Sequence, residues 1–189
     1  MWPSVALVLL VIAGGKAMGQ TSPPRAYRAP DFTLSDWQGN KVSLADFRGR
    51  VILLQFFQTG CPVCQRHAPI LESLYRKYKD QGLVVIGVSH DAGGPEALKQ
   101  FVKKFGLTYF VLVGDLEIAV RYLGITPQES SFDIPRYFLI NSEGYIVRDI
   151  DPAADKIFVQ DEKGKIEQAI LEVFHASLPM HEKSATTSP

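Results

Sequence analysis

The chain is 189 residues long and 46% hydrophobic, enough to bury one sizeable core and consistent with one domain plus short tails. Lys plus Arg and Asp plus Glu stand at 20 each. That balance leaves no global field to attract nucleic acid, an anionic membrane or acidic substrates, so no nucleic-acid partner is expected and partner choice rests on local surface.

The chain opens with an apolar run from Val5 to Ala13 followed by small residues, and Ala17 and Gly19 are spaced as at a signal-peptidase site. The run is too short for a hydrocarbon core of ~30 Å. Residues 1–19 therefore read as a signal peptide or N-terminal anchor, although only the α-amino group supplies positive charge ahead of the run. With no Cys near the cleavage region, a lipidated N-terminal Cys is excluded. Residues 20–30, rich in Pro, Ser and Ala, read as a linker in which no packing is expected.

Residues 31–178 are expected to form the domain. Phe32 to Leu34 and Lys41 to Leu44 flank a turn at residues 36–40 and predict a β-hairpin. Val51 to Phe57 is a continuous apolar run of strand length, as in a strand buried on both faces. From Pro62 to about Gln81 the spacing of Ile70, Leu71, Leu74, Tyr75 and Tyr78 predicts a long helix, with Arg76, Lys77 and Lys79 on its other side. Leu83 to Val88 predicts a strand, Pro95 to Phe105 a helix, and Tyr109 to Val113 another strand. This alternation implies right-handed βαβ crossovers and a mixed sheet flanked by helices.

Glu117 to Leu123 reads as a short helix, and Tyr137 to Ile140 with Tyr145 to Ile150 as an antiparallel pair around residues 141–144. Lys165 to Ala176 is the amphipathic final helix. Residues 151–163 are an insertion to which no structure is assigned, and 179–189 are expected to be a disordered tail.

Only two cysteines exist, Cys61 and Cys64. A disulfide closing so short a loop removes little unfolded-state entropy, so the pair serves chemistry and not stapling. If Cys61 caps the helix and Pro62 is its first residue, the Cys61 sulfur faces free N–H groups and a thiolate is favoured there. Cys64, one turn in, would be the buried resolving thiol. The Cys61 thiolate would attack a partner disulfide, and Cys64 would then attack Cys61 to release the reduced partner. Pro62 and Val63 between them modulate the potential without deciding it.

The segment Gly60 to Leu71, GCPVCQRHAPIL, resembles the active-site helix of the thioredoxin superfamily, including Pro69 five residues after the second Cys, which should kink the helix. The flanks from Ala29 to Phe57, with LVVIGVSHD and FDIPRYFLI, resemble the TlpA/ResA-type branch, related to AhpC/TSA proteins. This resemblance implies a thioredoxin-like α/β fold with a hairpin extension. It also implies an extracytoplasmic thiol:disulfide oxidoreductase, most often a reductase of exported protein disulfides and in some members linked to cytochrome c maturation. A membrane-bound electron donor, a monomer, and no cofactor or metal are expected.

The resemblance further implies that Ile134-Pro135 is a cis peptide facing the dithiol, with the Ile134 backbone pairing with a substrate segment. Three positions depart from the family. Gly60 stands where an aromatic residue usually precedes the first Cys. Gln55 stands where thioredoxin proper has a buried acid, so another group or water must handle the Cys64 proton. Arg136 follows the cis-proline, and as a cation near Cys61 it would favour the thiolate if its side chain turned that way.

Other readings are weaker. Zinc needs four ligands, and a single Cys pair leaves only His67 and His90 to complete the set. A c-type haem motif would have His directly after Cys64, where Gln65 stands. A Sco-like copper chaperone would use two Cys and a His, and His90 sits at a strand end, but the spacing of the cysteines is two residues and not three. A thiol-dependent peroxidase lacks its Pro and Thr ahead of the Cys, with Gln58 and Thr59 there instead. His67 reads as a packed or exposed helix residue, and Tyr75, Tyr78, Phe101 and Phe105 as core or its edge.

Overall fold

In the computed structural model the described residues are 26–126, 128, 132–152 and 161–177. The expected signal peptide or anchor, most of the linker, most of the 151–163 insertion and the tail lie outside them. No helix among the described residues is long and apolar enough to cross a membrane.

Val51–Phe57 (β4) is buried at all seven positions, as its unbroken apolar run predicts, because it is covered on both faces and paired on both edges. It runs parallel to Leu83–Ser89 (β5) and antiparallel to Arg136–Ile140 (β7). Phe110–Val113 (β6) extends the parallel set beside β5, while Tyr145–Ile150 (β8) pairs antiparallel with β7. The predicted hairpin, Thr33–Asp36 (β2) with Lys41–Ser43 (β3), docks through β2 onto β6. It thereby joins the central sheet, giving, with Tyr27–Arg28 as β1, one eight-stranded sheet in the order β1-β8-β7-β4-β5-β6-β2-β3.

One expectation fails at the N-terminal edge. Tyr27–Arg28 (β1) lies within the segment read as unpacked, yet it pairs with β8, and Ala29 is buried. Both β1 residues are exposed, held by backbone pairing with β8 and by Arg28, which lies over the Tyr145 ring and donates to the Glu143 carbonyl, so no hydrophobic period marked the strand.

Three helices cover one face: Pro62–Tyr78 (α1), Gly94–Phe105 (α2) and Glu162–Ser177 (α4). Their Leu71, Leu74, Leu98, Ile166 and Ile170 pack against Val51, Leu53, Phe57, Val85 and Leu139. The other face carries Leu116–Leu123 (α3), a 3-10 turn at Leu44–Phe47 and the N-terminal segment, which bury Ile118, Tyr122, Leu44 and Phe32 against Ile52, Phe56, Val88 and Phe138. Each fully buried aliphatic or aromatic side chain is worth about 1.5–3 kcal/mol in transfer from water. Tyr78 and Phe101 are core, with Tyr75 and Phe105 packed at its edge. The alternation along β4 and β7 sends odd-numbered residues to the α1 face and even-numbered ones to the α3 face, which fixes what surrounds the cysteines.

Candidate active site

Helix α1 starts where β4 ends, at the carboxyl end of the parallel strands where sites on such sheets gather. Cys61 is its N-cap, in extended conformation (φ −73°, ψ 120°), and Pro62 occupies the first turn, where its missing N–H costs nothing. Cys61 Sγ accepts the Cys64 N–H at 3.3 Å. The Cys61 sulfur therefore faces a backbone donor at the N-terminal end of the helix. Cys61 is half-buried and Cys64 only 1% exposed. Burial, reinforced by a hydrogen bond with Cys61, pushes the Cys64 thiol well above the ordinary thiol range. The two sulfurs thus divide into an accessible one and a protected one. Helix α1 runs on through Pro69, which is exposed.

The Ile134–Pro135 peptide is cis, and the Ile134 carbonyl oxygen lies 4.0 Å from Cys61 Sγ. Ile134 is half-buried and Pro135 buried. Pro62 is exposed and Val63 half-buried beside them. A Cβ built on Gly60 would meet nothing within 4 Å, so the surface ahead of Cys61 is as bare as the missing aromatic implies.

The loop that presents Cys61 is clamped by Asp91, which follows β5. Its carboxylate accepts the Thr59 N–H at 2.9 Å, the Thr59 hydroxyl at 2.9 Å, and the Ser89 hydroxyl. Gln65 Nε2 donates to the Thr59 carbonyl at 2.8 Å, and Gln58 Nε2 to the His90 carbonyl at 3.3 Å. Thr59 is thus committed to Asp91 and is not free to serve a peroxide. Sequence reasoning missed Asp91; its one signal was an acidic residue placed just past a buried strand end.

Behind Cys64 lies a buried polar chain. Gln55, opposite Tyr137 in the β4–β7 register, donates from Nε2 to the Tyr137 hydroxyl at 3.1 Å. That hydroxyl meets His67 Nδ1 at 2.5 Å. His67 is fully buried, and its Nε2 sits 3.2 Å from Glu162 Oε1, in ion-pair range but out of hydrogen-bond alignment. Burial lowers the His67 pKa, opposed by Glu162. For Glu162, burial raises the pKa, but Arg66 and His67 outweigh it and leave the carboxyl below its usual range. Burial likewise holds the Tyr137 phenol neutral. Of the two readings of His67, packed or exposed, the buried one holds, and its partners carried no signal in the sequence. Glu162 was missed because α4 begins three residues ahead of the predicted start.

One conditional expectation is corrected, and the metal-binding alternatives lose a ligand. Arg136 does not turn to Cys61: it is even-numbered on β7, so it projects to the face opposite Tyr137. There Asp149 holds it at 2.6 and 2.9 Å and Asp151 at 2.7 Å. His90 also belongs to that opposite side, stacked on Phe56 at 5.6 Å and edge-on to Phe132 at 5.9 Å. A Cβ on Gly114 would come within 2.8 Å of its ring, so it is packed where it cannot join the cysteines in a copper or zinc site. Among the described residues no group of three or more His, Cys, Asp or Glu is arranged to hold a metal ion.

Known proteins share this framework. The chain is 32% identical over 122 residues to the thiol-disulfide oxidoreductase ResA of Bacillus thuringiensis subsp. konkukian, covering 65% of this chain and 66% of the relative, just under two thirds of its length. It superposes on a thiol:disulfide interchange protein of the thioredoxin family from Chlorobium tepidum with a TM-score of 0.67 at 20% identity, over 80% of this chain and 99% of that one. The thioredoxin domain of a thiol-disulfide oxidoreductase from Bacteroides vulgatus gives 0.61 at 26% identity, over 76% and 96%. The AhpC/TSA family matches residues 26–149, and the chain, thioredoxin-like in fold, belongs to that family.

Proposed function

We propose that this chain is a thiol:disulfide oxidoreductase in which Cys61 is the nucleophile and Cys64 the resolving thiol. The observation that carries the reading is the asymmetry of the pair: Cys61 accepts a helix N–H at the surface, while Cys64 is sealed behind it with its thiol held protonated. The Cys61 thiolate attacks one sulfur of a partner disulfide. A Cys61–partner bond forms, and the partner's other sulfur leaves as thiolate. Cys64 then attacks Cys61, the Cys61–Cys64 bond forms, and the partner departs reduced. An external reductant returns the pair to two thiols.

The partner segment would lie along Ile134 and Pro135, pairing with the backbone as an added strand; the Ile134 carbonyl beside Cys61 supports this placement. The bare surface at Gly60 suits protein partners of varied shape. Reduction of exported disulfides is the favoured direction, as the resemblance to the TlpA/ResA-type branch implies; the similar relatives are named thiol-disulfide oxidoreductases. The protein would then work outside the cytoplasm, as a monomer fed by a membrane-bound donor, with immature c-type cytochromes among its substrates.

Trapping tests this. In Cys64→Ala the mixed disulfide cannot resolve, so Cys61 should retain its natural partners as dithiothreitol-sensitive adducts, separable by mass. Absence of any Cys61-dependent adduct, with the variant folded, would contradict the exchange mechanism.

A further inference from the structure

Resolution raises a proton problem that Gln55 cannot answer. Cys64 must lose its proton to attack, and burial opposes the loss. In the free dithiol the Cys61 sulfur, which accepts the Cys64 N–H, stands beside the Cys64 thiol as an acceptor. In the mixed disulfide that sulfur is blocked, and it is at this step that Cys64 must ionise.

The titratable groups around Cys64 leave few alternatives. Tyr109 and Tyr137 are packed in the same buried cluster as Cys64, and burial keeps both phenols neutral. Glu72 is occupied by Arg76 and by Thr108, whose N–H it accepts at 2.8 Å. His67 lies one turn from Cys64 on the same buried face of α1. The Tyr137 hydroxyl accepts from Gln55 and so turns its own proton to His67 Nδ1. The neutral imidazole then carries its proton on Nε2, facing Glu162. His67 is thus a neutral base whose Nδ1 lone pair accepts the Tyr137 hydroxyl, with a carboxylate behind it to steady the cation.

We propose that His67, acting through Tyr137, takes up the Cys64 proton during resolution, in place of the carboxylate that Gln55 replaces. The inference rests on the exchange reading above. As Cys64 Sγ bonds to Cys61 Sγ and the partner sulfur leaves with the electron pair of the broken bond, the Cys64 proton passes to Tyr137 Oη and the Tyr137 proton to His67 Nδ1. The products are the Cys61–Cys64 disulfide, the partner thiolate and an imidazolium flanked by Glu162 and, on its own helix, by Arg66, whose like charge is drawn off by Glu162 at 3.1 Å. Reduction of the disulfide returns the proton along the same path. His67 is a positioning and proton-holding residue, since it does not touch the reacting sulfurs.

Ellman's reagent separates the two steps in one stopped-flow trace. Cys61 releases the first thionitrobenzoate on attack, and Cys64 releases the second on resolution. His67→Asn keeps an acceptor for the Tyr137 hydroxyl and removes the basicity. It should slow the second release at pH 7 at least ~100-fold more than the first, the size of effect a positioned base gives. Its second-phase rate should climb tenfold per pH unit between pH 6 and 9 as hydroxide substitutes, where the wild type is flat above neutrality. Tyr137→Phe should reproduce both changes, and it decides the matter alone if His67→Asn does not fold. A second phase with wild-type rate and pH profile in either folded variant overturns the assignment while leaving the exchange reading intact. A wild-type trace with no second release overturns both.

Discussion

On one face of β4 and β7, Gln55 and Tyr137 meet His67 in a fully buried polar chain beneath the cysteines; on the other, Phe56, Phe138 and Tyr122 close their rings within 5.3–5.8 Å of one another. Each face holds one histidine with a buried, unbonded Nε2, and burial lowers the pKa of both. Their surroundings separate them. His90 is stacked between rings, and Asp115 and Asp91 reach it only through their charge, so it packs as an aromatic plate. His67 has a hydroxyl at one nitrogen and a carboxylate near the other, so it can pass a proton. The same two strands supply both environments, and only the parity of the residue number decides which side a group joins.

The largest effect should separate chemistry from packing. Cys61→Ser is expected to abolish both phases of the Ellman reaction with thermal stability little changed, whereas Phe138→Ala should cost about 3–5 kcal/mol in denaturant unfolding and leave the ratio of the two phases alone. A change in that ratio in Phe138→Ala would mean that the faces are not independent. Next, Asp91→Ala removes the clamp on Thr59 and should cost about 2 kcal/mol, the scale of hydrogen bonds to a charged acceptor. It should also slow the first phase more than the second.

The pH dependence of stability is a smaller and more diagnostic test. Both histidines have folded pKa values below the unfolded ~6.5, so above that pH they are neutral in either state and cost nothing. As pH falls below ~6.5 the unfolded chain binds protons that the native state refuses, and stability drops by up to ~1.4 kcal/mol per pH unit for each until its folded pKa is reached. His67→Asn and His90→Phe should each flatten part of this slope. Cys64 has the opposite sense: its raised folded pKa means that the reduced protein loses stability as pH rises above the unfolded ~8.5. The oxidised protein should lack that loss. Smallest of all, Arg136→Ala should shift stability by under ~1 kcal/mol and the first-phase rate by less than about twofold, because two aspartates hold the cation away from Cys61.

Much of this was legible in residues close together in the chain. The run Val51–Phe57 declared a doubly covered strand, and Cys61, Pro62 and Cys64 declared a capped helix with one sulfur out and one in. What escaped depended on distance or on backbone alone. Gln55, Tyr137 and His67 are brought together by register across β4 and β7 and by the docking of α1, none of which any single segment encodes. Asp91 becomes a clamp only because β5 ends beside the Cys61 loop. The Tyr27–Arg28 strand has no buried side chain and so no period to read. The direction of Arg136 was accessible in principle, since Tyr137 beside it had to point inward and alternation then sends Arg136 the other way.

The most direct test of the exchange reading is the equilibrium reduction of the Cys61/Cys64 couple in dithiothreitol or glutathione buffers, followed by thiol alkylation and mass. A single two-electron transition near thioredoxin's ~−270 mV is the predicted result. A value near DsbA's ~−120 mV would contradict the reductase direction, and failure to form the Cys61–Cys64 disulfide at any poise would contradict the exchange mechanism itself.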